Sequence, residues 1–442
     1  MTDKITIIGA GLAGCEAALY LAKHGVACEL YEQKPNKYSP AHHNENFAEL
    51  VCSNSLKADR LASASGLLKA EMKLLGTNIL PIAEDCRVAA GGALAVDRAE
   101  FARKVTQEVN ANPLITVKLE EKTDIDKDGI TLVATGPLTE GALANAITRL
   151  TGQEALAFFD AAAPIVTAES IDMDKVFAAS RYDRGGRDYL NCPFDKAGYE
   201  AFYQELVNAQ RAELHSFEKE PDVFEGCMPI EIMAKRGADT MRYGPLRPVG
   251  LINPATGHRP WANIQLRAED KALSMYNIVG FQTNLKFAEQ KRVFSMITGL
   301  ENAEFVRYGV MHRNTFINAP KVLSGDLSLK EHSNVFFAGQ ITGFEGYVES
   351  MASGLLAARF ILARLKGTQP TEYPGTTMCG ALLKYIAAPN EHFEPMGCNI
   401  GILPPLSEHI REKALRYEAV ANRAVEDMKK TIQQEADYED NI

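Results

Sequence analysis

Three glycines near the start of the chain have a spacing that suits dinucleotide binding. Gly9, Gly11 and Gly14 follow the apolar run Lys4–Ile8 in the pattern G-x-G-x-x-G. The first glycine allows a tight turn, the second lets the backbone approach a pyrophosphate, and the third lets a helix pack against the strand. Glu32 ends the next apolar run, where a carboxylate can bind a ribose and disfavours the 2′-phosphate of NADP. The predicted cofactor-binding residues of this stretch are Gly9, Ala10, Gly11, Leu12, Ala13, Gly14 and Glu32.

Two cysteines have neighbours that allow more than one role. Cys52 precedes Ser53–Ser55, residues that favour the start of a helix, here near Leu56. Such a helix start, with Lys57 nearby, lowers the pKa of a thiol and favours the reactive thiolate. The alternative is a small buried hydrophobic side chain. Cys227 has the same two alternatives.

A third group of residues is basic. The segment from Lys235 to Arg259 has five cations and a single acid, Asp239, with Tyr243 inside it and Trp261, the only tryptophan, just beyond. Cations interleaved with aromatic side chains suit phosphate contact combined with base stacking. The alternatives are a solvated loop and a site for a small anion. The predicted RNA-binding residues are Lys235, Arg236, Arg242, Arg247 and Arg259.

The elements around these residues predict an α/β fold. The first glycines lie between a strand and a helix, and Ile130–Ala134 predicts a further strand that runs into Gly136. Near the other end, a strand ending in Gly339 is followed by a loop and a helix that opens at Tyr347. Flavoproteins with two dinucleotide-binding motifs complete their FAD site in this way, and the helix start can polarise the flavin. The additional predicted FAD contacts are Gly136, Gly339, Gln340, which replaces a more usual aspartate, Gly346 and Tyr347.

The length of 442 residues predicts more than one domain. We expect an FAD-binding Rossmann-like domain of the two-dinucleotide-binding flavoprotein type, with an inserted α+β domain. The predicted segments are 1–58, 95–165 and 285–442 for the FAD-binding domain, the last with a C-terminal helical extension, and 59–94 and 166–284 for the insertion, the latter on the RNA side.

Composition excludes several classes of protein. The eight cysteines contain no C-x-x-C pair, which argues against a disulfide framework and a zinc site, and we expect no metal. There is no signal peptide and no apolar run long enough to cross a membrane, so a cytoplasmic protein is expected. The net charge of −10 gives no general attraction to nucleic acid. Any RNA partner would have to be met by a local basic surface.

Seven motifs in order resemble one enzyme family. They are GAGLAGCEAA, NFAELVCSNSLK, FEGCMPIEIMA, GPLRPVGL, VFFAGQITGFEGYVESMASGLLAA, GALLKYI and ILPPL. Their combination and spacing are similar to those of the folate- and FAD-dependent tRNA uracil-5-methyltransferase family. The resemblance covers about nine-tenths of the chain, from Ile5 to Leu406.

The resemblance implies an enzyme that methylates the T-loop uridine of tRNA to 5-methyluridine. The one-carbon unit would come from 5,10-methylenetetrahydrofolate and the electrons from reduced FAD, which NADPH or NADH regenerates. The two family cysteines match Cys52 and Cys227, and the tyrosine beside the flavin matches Tyr347. We expect Cys227 to add to carbon 6 of uracil, because that addition makes carbon 5 nucleophilic. Cys52 would be the general acid/base or would protect the flavin adduct.

Two other readings of the sequence stay open. One is a related flavin and folate enzyme that modifies ribosomal RNA, or a relative of the larger glucose-inhibited division protein A, whose helical C-terminal domain has no room in this chain. The other is a non-catalytic flavoprotein that binds RNA or another protein. Two cysteines at the positions of the enzyme family argue against the latter.

Overall fold

The structure, a computed structural model, describes residues 4–183, 186–212 and 228–439. The strands in this part of the chain are β1 Ile5–Ile8, β2 Cys28–Tyr31, β3 Ser55–Ala58, β4 Arg87–Val88, β5 Ala93–Val96, β6 Ile115–Lys118, β7 Ile130–Val133, β8 Leu156–Ala161, β9 Ile165–Thr167, β10 Phe177–Ala178, β11 Tyr189–Phe194, β12 Ala262–Ala268, β13 Met275–Ile278, β14 Phe305–Arg307, β15 Met311–Phe316 and β16 Val335–Phe337. The helices are α1 Leu12–Lys23, α2 Ala64–Leu74, α3 Ile79–Asp85, α4 Arg98–Ala111, α5 Gly141–Thr151, α6 Lys196–Asn208, α7 Ile230–Lys235, α8 Thr240–Tyr243, α9 Phe287–Phe294, α10 Ala319–Val322, α11 Tyr347–Lys366, α12 Met378–Ala387 and α13 Lys413–Glu439.

A five-stranded parallel sheet carries the two glycine turns. Its strand order is β16-β7-β1-β2-β6, and the pairings between these neighbours are parallel. The strands β1, β7 and β16 are buried along their whole length, as expected for a parallel sheet covered on both faces. Helices α1 and α11 pack on each other so closely that a Cβ on Gly354 would lie 2.2 Å from the carbonyl oxygen of Ala13. The starts of both helices are thereby brought to the same edge of the sheet.

A six-stranded sheet forms the second part of the molecule. Its order is β10-β11-β12-β13-β9-β14, with antiparallel pairing throughout. Strand β12 is buried along all seven residues, and helices α6, α7 and α9 contribute to the core beside it. Strands β8 and β15 pair only with each other and form a separate two-stranded antiparallel sheet. The predicted fold class, a Rossmann-like α/β domain with an inserted α+β domain, is confirmed by this architecture.

The larger hydrophobic core also includes helices α2 and α3, which follow strand β3 in the sequence. Side chains of α2 and α3 are buried in it, and strand β14 extends the second sheet to Arg307. The segment boundaries predicted from the sequence stay a prediction. Within the described ranges, no helix is both long enough and apolar enough to cross a membrane.

The prediction of a helix starting near Leu56 is wrong, because residues Ser55–Ala58 form strand β3. The buried ammonium of Lys69 donates to the carbonyl oxygens of Leu56 and Ala58, at 2.9 and 2.8 Å. It also approaches Asp59 at 3.4 Å. A charge satisfied by main-chain oxygens holds this strand in place, so the helix dipole invoked for Cys52 does not exist.

Candidate active site

A cleft opens at the carboxyl edge of the parallel sheet. Ten of the predicted cofactor residues line it, namely Gly9, Ala10, Gly11, Leu12, Ala13, Glu32, Gly136, Gly339, Gln340 and Tyr347. Gly14 and Gly346 do not line the cleft and lie in the structure behind it. In open parallel sheets, ligands bind at this edge, where neighbouring loops diverge.

The three glycines of the first turn do three different things. Gly9 has a φ of +102°, and a Cβ there would lie 2.6 Å from the carbonyl oxygen of Ala134. At Gly14, a Cβ would lie 1.9 Å from the carbonyl oxygen of Gly9, so helix α1 could not approach the turn. A Cβ on Gly11 would meet no atom of the described residues within 4 Å, its chain neighbours aside. Since Gly11 lines the cleft, only a group bound in the cleft gives a reason for glycine there.

Glu32 is held against the glycine turn. Its Oε2 accepts a hydrogen bond from the backbone N–H of Ala10 at 3.1 Å, and Oε1 accepts from the N–H of Lys34 at 3.0 Å. The side chain is largely buried, at the end of β2. A carboxylate at this point of the cleft suits the ribose hydroxyls of the adenosine half of FAD.

The second half of the cleft is built by the loop before α11. The N–H of Gly339 donates to Ser353 Oγ at 2.7 Å, and Gln340 Nε2 donates to Glu345 Oε1 at 2.9 Å. Burial, together with the nearby charge of Asp160, raises the pKa of Glu345 to about 8. The amide of Gln340 therefore links the cleft to a carboxyl group that is partly protonated near neutral pH.

Gly346 and an ion pair between the exposed Lys57 and the buried Glu349 lie behind this loop. Lys57 Nζ lies 2.7 Å from Oε1 of the fully buried Glu349, and the N–H of Cys398 donates to the same oxygen at 2.9 Å. A Cβ on Gly346 would lie 2.3 Å from Glu349 Oε2 and 2.6 Å from Lys57 Nζ. Gly346 also has a φ of +124°, a backbone conformation that side chains rarely adopt, so the chain itself favours glycine there without the cofactor.

Cys52 follows Val51 and contacts Tyr347, two residues that line the cleft. The hydroxyl oxygen of Tyr347 accepts from the backbone N–H groups of Cys52 and Ser53, at 2.7 and 3.2 Å. The thiol of Cys52 is half-buried and lies 3.8 Å from the carbonyl oxygen of Ala161. Burial, and next the charge on Cys52, raise the pKa of Tyr347. Tyr347 thus joins the start of α11 to the segment that carries the thiol.

Three arginines that the sequence did not suggest hold this segment from the other side. Arg98 Nη1 donates to the carbonyl oxygen of Leu50 at 2.6 Å, and Arg307 donates to those of Val51 and Cys52 at 3.1 and 3.0 Å. Arg267 binds the side chains of Ser53 and Asn54 at 2.8 Å each. Burial lowers the pKa of Arg267 and of Arg307. No local signal marks these arginines, because they lie between 48 and 256 residues away in sequence from their partners.

The other predicted cysteine, Cys227, lies outside the described residues. The described chain resumes at Met228, which is buried. The N–H of Ile230 donates to the carbonyl oxygen of Gln282 at 2.7 Å, and the N–H of Thr283 approaches that of Ala162 at 3.4 Å. The start of α7 is therefore connected through the loop residues Gln282 and Thr283 to Ala162, the neighbour of the Ala161 that Cys52 contacts.

The basic segment forms a separate surface groove. Arg242, Arg247 and Arg259 line it together with Tyr182, Tyr243 and Trp261. Lys235 and Arg236, at the end of α7, are exposed but do not line it. A search of the described residues finds no cluster of three or more histidines, cysteines and carboxylates that could hold a metal ion.

Comparison with known proteins adds three findings to this geometry. The family model described as glucose inhibited division protein A matches residues 4–369. A relative from Enterococcus faecalis, named methylenetetrahydrofolate–tRNA-(uracil-5-)-methyltransferase TrmFO, is 55% identical and covers 98% of this chain and 99% of its own. A relative of the same name from Acetivibrio thermocellus is 54% identical, with 98% and 99% coverage. The chain belongs to the TrmFO family, within the wider family of glucose inhibited division protein A.

Solved structures agree on the fold of this TrmFO family member. Two crystal forms of Aquifex aeolicus GidA superpose on it with TM-scores of 0.68 and 0.69 at 15% identity. They cover 97% and 98% of this chain, which in turn covers 73% and 76% of theirs. The larger GidA chains thus share the fold described above and have additional residues outside the matched part.

Proposed function

We propose that this chain transfers a one-carbon unit from 5,10-methylenetetrahydrofolate to carbon 5 of the T-loop uridine in tRNA, forming 5-methyluridine. The observation that carries the proposal is the contact between the backbone of Cys52 and Tyr347, which lines a cleft suited to a dinucleotide. This arrangement occurs in a chain that is 55% identical, over nearly its full length, to a methyltransferase named for this reaction.

The cleft fits FAD. Gly11 faces open space that no protein atom occupies, Glu32 is placed for a ribose, and the starts of α1 and α11 converge on the cleft with their positive dipole ends. Gly136, Gly339 and Gln340 line its other half. When bound, reduced FAD supplies the two electrons and two protons that turn the methylene of the folate into a methyl group and release tetrahydrofolate.

The thiols would act on the uracil ring. We assign to Cys227 the addition of its thiolate to carbon 6, which places negative charge on carbon 5 and makes that carbon nucleophilic. After carbon 5 has accepted the one-carbon unit, a base must remove its proton so that the thiolate can leave carbon 6. We assign to Cys52 this acid/base role, or the protection of the one-carbon unit before transfer. Tyr347 and Arg307 position the backbone of Cys52 for either role.

Two further partners belong to the same proposal. NADPH or NADH would reduce FAD again after each turnover, and the reaction would take place in the cytoplasm, where tRNA matures. The basic residues Lys235, Arg236, Arg242, Arg247 and Arg259 would contact the RNA, because a chain with a net charge of −10 needs a local basic surface to attract phosphates.

The reaction can be tested with purified protein and unmodified tRNA transcript. Label from the methylene carbon of methylenetetrahydrofolate should appear in 5-methyluridine at the T-loop, and only when NADH or NADPH is present. S-adenosylmethionine should not replace the folate. Methylation supported by S-adenosylmethionine alone would exclude the proposed one-carbon source, and labelling of ribosomal RNA but not tRNA would exclude the proposed substrate.

The division of roles between the two cysteines can be tested with tRNA that contains 5-fluorouracil. Fluorine cannot leave carbon 5 as a proton, so the covalent complex is trapped and migrates as a protein–RNA species on a denaturing gel. The wild type and Cys52→Ala should form this species, whereas Cys227→Ala should bind FAD and tRNA but form none. A trapped species with Cys227→Ala and none with Cys52→Ala would reverse the assignment.

A further inference from the structure

The surface groove formed by the basic segment combines three aromatic rings with three guanidinium groups. It has a volume of about 640 Å³ and is lined by Tyr182, Arg242, Tyr243, Arg247, Arg259 and Trp261, with Pro248, Val249 and Pro260 between them. It is separate from the cofactor cleft, with which it shares no lining residue.

One wall of the groove is a rigid stack of Arg242 on Trp261. The guanidinium carbon lies 3.8 Å from the centre of the indole ring, and Arg242 Nε donates to the carbonyl oxygen of Trp261 at 3.0 Å. Arg242 Nη1 lies 2.6 Å from Asp239 Oδ1. The guanidinium of Arg242 therefore fixes the indole ring in addition to carrying a charge that it shares with the exposed carboxylate of Asp239.

The other aromatic rings of the groove are unusually open to solvent. Tyr243, the last residue of α8, is 80% exposed, and Tyr182 is 52% exposed. Tyr182 has a φ of +60°, a conformation held by the hydrogen bond from its N–H to the carbonyl oxygen of Gly250. A Cβ on Gly250 would lie 3.0 Å from the Tyr182 ring. Tyr182 thus carries its exposed ring on a backbone conformation that tyrosine rarely adopts.

Among the described residues, the remaining cations of the groove have no acidic partner. Neither Arg247 nor Arg259 forms an ion pair with any of the residues that the structure describes. Arg181 Nη2 donates to the carbonyl oxygen of Arg247 at 2.9 Å, and burial together with the charge of Arg247 lowers the pKa of Arg181. Like charges held together on an acidic protein favour an anionic ligand.

We infer that this groove binds an unpaired nucleotide of the RNA substrate, with its base stacked on Tyr243 and the adjoining phosphates on Arg247 and Arg259. Open aromatic rings accept a base only when it is not stacked inside a duplex, and stacking tolerates any base identity. The inference rests on the proposed function for the source of the RNA. The groove would therefore select unpaired RNA on a surface that is distinct from the cleft where methyl transfer takes place.

The position of the only tryptophan allows a direct test. Binding of a fluorescently labelled eight-nucleotide uridine RNA to the FAD-bound protein is measured by anisotropy, and the emission of Trp261 is recorded in the same titration. The single strand should bind and quench the emission of Trp261. An RNA duplex of equal length should bind more weakly and leave the emission unchanged.

Matched variants separate stacking from charge. Tyr243→Ala should weaken binding of the single strand by roughly 5- to 100-fold, because stacking on one aromatic ring is lost, without changing the salt dependence. Tyr243→Phe should keep the wild-type affinity. Arg247→Gln should reduce the slope of log affinity against log salt by about 0.7. Met173→Ala removes a side chain that is also exposed, outside the groove, and should have no effect.

The outcomes distinguish this inference from the proposed function. The inferred role of the groove would be overturned if Tyr243→Ala bound the single strand with wild-type affinity. It would also be overturned if the duplex quenched Trp261 as strongly as the single strand does. Either result would stand even if the enzyme methylates tRNA. Conversely, the groove stands if binding depends on Tyr243 while folate-dependent methylation of tRNA is not found.

Discussion

At the scale of single residues, glycine is needed at Gly14 and at Gly11 of the first glycine motif for two different reasons. Gly14→Ala should destabilise the FAD-free protein by about 1–3 kcal/mol or more, because its Cβ would lie 1.9 Å from the carbonyl oxygen of Gly9. Gly11→Ala should leave the stability of the FAD-free protein unchanged and lower the affinity for FAD by roughly tenfold, or about 1.4 kcal/mol. Thermal unfolding with and without FAD, and FAD titration, measure both effects.

The two glycine variants serve as controls for each other. The prediction is wrong if Gly11→Ala unfolds at a lower temperature than the wild type in the absence of FAD, since the structure shows no protein atom for its Cβ to meet. It is also wrong if Gly11→Ala retains the wild-type affinity for FAD, because the open space beside Gly11 would then have another use.

A second residue-scale prediction concerns the hydroxyl of Tyr347. Tyr347→Phe removes the acceptor of two part-buried backbone N–H groups, those of Cys52 and Ser53, and an unsatisfied donor costs at most about 1–3 kcal/mol when it is fully buried. We expect the segment to loosen, so that iodoacetamide alkylates Cys52 several-fold faster while FAD remains bound. Peptide mass spectrometry assigns the labelled cysteine.

The matched control is Tyr385→Phe. Tyr385 also loses one hydrogen bond, that from its hydroxyl to the carbonyl oxygen of Glu394, but lies on α12. It should leave the alkylation of Cys52 unchanged. An unchanged alkylation rate in Tyr347→Phe would mean that the arginine contacts alone hold the segment.

At the scale of elements, local signals in the sequence succeeded where a side chain serves its own helix. Asp97 lies three residues before Glu100, the spacing of a helix cap, and its carboxylate accepts from the N–H of Glu100 at 3.0 Å at the start of α4. Asp195 does the same for α6 through Gly198. The glycine turns and the strands of the parallel sheet were likewise evident from spacing and apolar runs.

Local sequence patterns predicted the wrong element where helix-capping residue types bind partners far away in the sequence. Ser53 and Asn54 resemble helix-capping residues, yet Arg267 binds both, and Asn54 Nδ2 donates to the carbonyl oxygens of Val96 and Ala268. These contacts hold the following residues as strand β3. A sequence window of a few residues contains no record of a partner that lies more than 200 positions away, so tertiary contacts override the propensity.

Buried glutamates at helix starts are another feature that no local pattern reveals. Glu71 on α2 accepts from the N–H groups of Met378 and Cys379 at the start of α12, at 2.7 and 2.8 Å. Glu16 on α1 binds the start of α3 in the same way, through Ile79 at 2.9 Å. Burial outweighs these donors and raises the pKa of Glu71 from its usual value of 4.5 to about 7.

This raised pKa predicts a pH dependence of stability. The folded state binds the proton of Glu71 more tightly than the unfolded state, so this stabilisation is complete below about pH 4.5 and is lost as the pH rises through about 7. Glu71→Gln cannot lose a proton. The stability of the wild type relative to Glu71→Gln should therefore fall between pH 5 and 8, by on the order of 3 kcal/mol at most. Denaturant unfolding at several pH values measures the difference.

The matched control for the pH prediction is an exposed carboxylate. Glu200→Gln removes a surface charge that lies 3.7 Å from Lys196, and its stability difference from the wild type should not change over this pH range. A wild-type advantage over Glu71→Gln that grows as the pH rises would show that the backbone donors outweigh burial.

At the scale of the whole molecule, the thiol segment is where the two sheets meet. Tyr347 of the parallel-sheet domain contacts it on one side, and Arg267 on β12 and Arg307 on β14 of the second sheet contact it on the other. Cys52 and Tyr347 could be predicted from their motifs, but no local pattern joins Arg307 to a segment 255 residues away. The site is therefore a product of the domain arrangement.

The charge of the whole chain leads to the last prediction. With a net charge of −10, binding of tRNA requires the groove cations that form no ion pair with the described residues, and log affinity should fall linearly with log salt concentration. Replacing Arg247 and Arg259 together by glutamine should reduce the slope by about 1.4–1.8, since each phosphate contact contributes about 0.7–0.9. Lys429→Gln combined with Lys430→Gln removes two cations on α13 that are paired with Glu426 and Asp427, and should leave the slope unchanged. Filter binding from 50 to 300 mM salt measures each slope while FAD absorbance reports the intact fold. A reduced slope in the lysine pair and a normal one in the arginine pair would place the RNA on the C-terminal helix instead.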